Sequence, residues 1–133
     1  MHDPLDRRLT LDALDPPAWG PPTYPSSLVQ TCHRLRQVPL DEFTPGDLRI
    51  MIGQDIGLQW LIPLALDVLE KDPLVEGTFY EGDLLVTVLQ VESEFWATAS
   101  PLQARLDSLL RPLEGLDEDI REAIAHYTDA GRN

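Results

Sequence analysis

The sequence predicts an all-α chain: a compact single-domain bundle of about five to six helices, entered through an irregular Pro-rich N-terminal arm. Three observations point there. Leu58, Leu61, Ile62, Ala65, Leu66 and Leu69 recur at helical spacings, a stripe wide enough to face a core. No segment sustains the apolar–polar alternation of a half-exposed strand. Finally, FTPGDLRIMIGQ at 43–54 and FYEGDLLVTVLQ at 79–90 repeat one helix-start phrase 36 residues apart, and Trp60 and Trp96 keep the same offset. With 133 residues and 43% hydrophobic content, the chain is long enough to bury one proper core.

The elements follow in chain order. Eight of the twelve prolines fall within the first 45 residues, and PPAWGPPTYP at 16–25 excludes regular structure. Residues 1–25 therefore read as the arm, with Trp19 and Tyr24 folded down as apolar anchors, and 26–133 as the helical domain. A first helix is predicted from Ser26 or Ser27 to before Pro39, with Leu28, Cys32 and Leu35 on one face. In the first phrase Thr44 suits the N-cap, Pro45 the first helical position, and Asp47 follows three residues after the cap. Gly82-Asp83 predicts a similar start in the second, so the repeated Asp reads as a cap rather than a catalyst. Pro63 interrupts the 58–69 stripe, which predicts a regular helix from there and an irregular turn before it, ending ahead of Pro73.

VEGTFYEGD at 75–83 reads as a turn-rich loop presenting Phe79 and Tyr80. Residues 83–91 follow as a helix, although Val86, Val88 and Val91 leave a strand open. Leu102, Leu106, Leu109, Leu110 and Leu113 mark a helix after Pro101. Leu116, Ile120, Ile124 and Tyr127 mark a last one, capped near Asp117. The echo itself reads as two similar helical units in one bundle, with coincidence of helix-start chemistry as the alternative.

The net charge of −13 is uneven: residues 1–40 are neutral, 41–99 carry −10 and 100–133 carry −3. Such a chain repels nucleic acid and anionic membrane, because phosphate binding needs Lys and Arg. It attracts a basic protein and speeds that encounter, while solubility alone explains the acidity equally well. No apolar run approaches the roughly 18 residues of a membrane span. The N-terminus lacks a secretory pattern and Cys32 stands alone, so a cytoplasmic address is expected. His2, His33 and His126 are far apart, which predicts no metal site, and no phosphate loop or nucleophile motif is present. Neighbouring helix positions diverge by about 100°, so Cys32 and His33 do not form a nucleophile pair. No catalytic residue and no cofactor are expected.

Residues 19–96, above all DLRIMIGQDIGLQWLIPLALDVLEKDP, EGTFYEGDLL and the TCHRLR segment, resemble the contact-dependent growth inhibition (CDI) system immunity protein family of bacteria. Gly82 departs from the proline expected after Glu81. The resemblance implies a non-catalytic protein that binds and neutralises the toxic C-terminal domain of a delivered effector. Such toxins are often nucleases, whose basic substrate cleft an acidic protein can cover. The residues expected to bind the partner are Glu70, Asp72, Glu76, Glu81, Glu92 and Glu94, with Phe79 and Tyr80 as aromatic anchors. Taken singly, each acid reads better as a solvated helix end, and both aromatics read equally as core. Gln54, Gln90, Trp60 and Trp96 are read as framework. The rival functions are an interaction or scaffold module, homodimeric in one form, and a small hydrolase built from carboxylates and His33.

Overall fold

The computed structural model describes residues 6–23 and 26–130, so Tyr24 and His2 lie outside it. In chain order the helices are α1 (Leu11–Leu14), α2 (Ser27–Leu35), α3 (Pro45–Gly53), α4 (Leu58–Lys71), α5 (Asp83–Leu89), α6 (Ser93–Ala97), α7 (Ser100–Leu110) and α8 (Glu118–Ala130). A 3-10 turn at Leu40–Glu42 joins α2 to α3. The fold is all-α, and residues 83–89 are helical rather than extended. The short α1 and α6 raise the count above the five to six helices expected.

The core is built on α4, which buries Leu61, Ile62, Leu64, Ala65, Leu66 and Leu69 and packs on α3, α5 and α7. The helix corrects the expectation at Pro63, since it begins at Leu58 and runs through the proline. A proline inside a helix costs about 3 kcal/mol. Leu61 and Ile62, fully buried just ahead of it, each return about 1.5–3 kcal/mol. The turn before Pro63 is helical because burying those two side chains outweighs one lost hydrogen bond. Its entry is Gly57, at φ +65°, where an added Cβ would lie 3.0 Å from the Leu11 side chain. Only glycine turns the chain there and admits α1 so closely.

The described residues ahead of α2 are tied down. Leu11 is fully buried, and backbone bonds run from Asp12 N–H to the Arg36 carbonyl (3.0 Å), Leu40 N–H to Leu9 (3.0 Å) and Asp41 N–H to Arg7 (2.8 Å). Arg36, only 2% exposed, donates to Asp12 (2.7 Å) and to the Asp15 carbonyl (2.7 Å). Trp19 stacks on Arg36, with 4.5 Å from guanidinium to ring, while remaining exposed at its outer edge. Cys32 and Leu35 face inward as expected, but Leu28 does not. It stands one turn beyond the packed part of α2 and is 43% exposed.

The two echoing phrases both start helices, and α3 packs against α5. Their second halves diverge: Trp60 belongs to the long α4, half-buried, whereas Trp96 is buried in the five-residue α6. The two aspartates diverge as well. Asp47 completes a capping box, accepting the Thr44 N–H (3.1 Å) while the Thr44 hydroxyl accepts the Asp47 N–H (3.1 Å). Asp83 occupies the first turn of α5 behind Gly82, and its carboxylate caps no helix. It organises the loop before it.

Candidate functional site

Asp83 is 3% exposed. One carboxylate oxygen accepts the Gly77 N–H, and the other accepts the N–H groups of Thr78 (2.8 Å) and Phe79 (2.8 Å). Burial alone would push this carboxyl up; the backbone N–H groups of Phe79, Thr78, Gly77 and Tyr80 outweigh it and hold it below the ordinary carboxylate value. From α3, Arg49 donates to the Thr78 hydroxyl (2.9 Å), lies 3.8 Å from Asp83 and places its guanidinium 4.6 Å from the Phe79 ring centre. An antiparallel bridge joins Glu76 to Glu81. The loop is thus a fixed structure clamped from beneath by one carboxylate and one guanidinium.

All eight residues expected to meet a partner are exposed. Phe79 is 72% exposed and Tyr80 43%, so the core reading of this pair is wrong. Asp83 holds the loop by its backbone, and Arg49 touches only the Thr78 hydroxyl and the Phe79 ring, so most of both aromatic side chains is left outside. Glu76 and Glu81 flank the aromatics, and among the described residues no cation lies within ion-pair distance of either. Asp72 accepts the Leu74 N–H (3.2 Å). Glu70 is different: Arg105 grips both its oxygens (2.7 and 3.1 Å) and also Asp67 (2.7 Å), which Arg7 contacts in turn. Its charge is largely spent within the chain.

Glu92 and Glu94, at the start of α6, line a cleft of about 520 Å³ with Leu89, Gln90, Trp96 and His126. A second cleft of about 380 Å³ shares Leu89, Gln90 and His126 and continues to Tyr80, Asp119 and Glu122. Asp119 and Glu122 line this cleft and were not singled out from the sequence. Their spacing marked an exposed face of the last helix, but nothing local said that this helix packs on α5.

His33, the histidine of the hydrolase reading, lies 2.9 Å by Nδ1 from the Gly20 carbonyl and packs edge-on to Trp19. His126 does share its cleft with Glu92 and Glu94, yet no hydrogen bond joins these exposed side chains, so a base and its orienting group are not assembled. Among the described residues no cluster of His, Cys, Asp and Glu has metal-binding geometry, and no helix is long and apolar enough to cross a membrane. Among the described residues the large apolar side chains that stand exposed are Leu9, Trp19, Leu28, Phe79 and Tyr80, none from the leucines of α7.

Residues 13–106 match the model of a family described as CDI immunity proteins, well over half of the chain and wider than the stretch expected from sequence. This chain belongs to the CDI immunity protein family. Membership implies toxin-neutralising immunity and therefore a toxin as partner. No curated protein matches the chain. In this CDI immunity protein the clamped loop lies inside the matched residues, whereas the carboxylates of α8 lie beyond them.

Proposed function

We propose that this immunity protein acts in the bacterial cytoplasm by laying the 75–83 loop and its neighbouring carboxylates over a basic cleft of the toxin, which is a nuclease. It performs no reaction of its own. The observation that carries this reading is Phe79, exposed on a rigid loop and flanked by the unpaired Glu76 and Glu81. Exposing an aromatic ring to water is unfavourable unless a partner covers it, and interface energy concentrates in such anchors. Because Asp83 and Arg49 hold the loop in place beforehand, little conformational entropy is lost on binding. Tyr80, Asp72, Glu92 and Glu94 extend the contact, with Glu70 contributing only to the long-range field. The −10 charge of residues 41–99 suits a surface that binds where nucleic acid phosphates otherwise sit. Co-expression with the cognate toxic C-terminal domain tests it. Cells survive and their nucleic acid stays intact if the reading holds; death despite a soluble, folded immunity protein contradicts it.

A further inference from the structure

The two clefts along α5, α6 and α8 share Leu89, Gln90 and His126 and are taken together as one groove, whose lining differs from that of the loop. Leu89, Trp96, Tyr127 and Ala123 give it apolar walls. Glu92 and Glu94 line one cleft and Asp119 and Glu122 the other, and among the described residues no Lys or Arg lines either. Trp96 is 2% exposed, and among the described residues its indole N–H has no hydrogen-bond acceptor. Tyr80 lines the second cleft and belongs to the clamped loop.

We infer that this groove is a second docking surface of the same interface, occupied by a basic amphipathic segment of the toxin domain. The inference rests on the immunity reading. Apolar side chains of the segment lie along Leu89, Trp96 and Tyr127, while its Lys or Arg heads reach the two acidic rims. Long basic side chains suit such a site because their methylene stems cover apolar surface as the charge reaches outward. An acidic or purely apolar segment would leave four rim carboxylates facing like charge or desolvated without a partner.

The test follows the backbone amides and the Trp96 indole N–H by NMR, with two probes: an amphipathic leucine–lysine peptide and the toxin domain itself. Binding moves the Trp96 indole, Leu89, Gln90 and His126 signals, and a leucine–glutamate peptide moves none of them. Ala97→Trp, at an exposed position in the larger cleft, abolishes the shifts without disturbing the core. Glu94→Lys with Glu122→Lys slows toxin association about tenfold. Groove signals that stay still while those of 78–81 move on toxin binding overturn the groove and leave the proposed function standing. If no toxin complex forms, the immunity reading fails, and the peptide alone decides: selective shifts uphold a groove for basic segments, and their absence removes it.

Discussion

Replacing Asp83 with alanine strips the acceptor from three backbone N–H groups at once. A hydrogen bond to a charged group contributes about 1.5–3 kcal/mol. Thr78 and Phe79 are exposed enough for water to replace the carboxylate, and Gly77 is only half-buried, so the loss falls below the roughly 4.5 kcal/mol that three such bonds give at the low end. The expected loss is about 3 kcal/mol, or about 10 °C in Tm for a domain of this size. Asp47→Ala, at the matching place in the first phrase, breaks only a capping box and costs about 1 kcal/mol. The difference also depends on pH in a defined sense. Because the folded carboxyl of Asp83 sits below its ordinary value, its contribution is complete above about pH 3.9 and disappears as pH falls through the folded value. Thermal unfolding of both variants from pH 7 downward, with hydrogen exchange at residues 77–79, checks this. A loss under about 1 kcal/mol with those amides still protected would refute the clamp.

Phe79→Ala leaves stability within about 0.5 kcal/mol, since the ring is mostly in water, yet weakens toxin binding by about 2 kcal/mol, near thirtyfold, in a titration. Arg36→Ala leaves Asp12 partly buried and unpaired and costs about 3–5 kcal/mol in urea unfolding. Arg36→Met, which keeps the packing, restores part of that. Gly82→Ala strains a residue at φ +94° and sets a Cβ 2.6 Å from Ile120 Cδ1, which costs about 1–3 kcal/mol in the same measurement and loosens α8.

Helices were legible wherever burial and local chemistry agreed. The α4 stripe, the Thr44-Pro45 start and a helix start at Ser26 or Ser27 all rest on spacings and caps within four residues, and each appears as read. Pro63 misled because its cost is local while the gain from Leu61 and Ile62 depends on tertiary packing. Leu28 misled for the converse reason: its spacing fits a core face, but α2 extends past its neighbours. Asp83 was legible as structural but not as the loop's clamp, since its partners are backbone groups that carry no sequence signal. Of the expected surface, the acids and aromatics of 76–81 lie together on one loop, while Glu70 is taken by Arg105 from 35 residues away. No local pattern announces such a partner.

The account's central claim is electrostatic and specific to one loop. It is tested most directly by the association rate with the toxin domain, measured against salt for the wild type and for Glu76→Lys with Glu81→Lys. The wild type should bind about tenfold or more slowly as salt rises well above physiological levels, and the variant should bind slowly throughout with little salt dependence. Equal, salt-independent rates for the two proteins would contradict it.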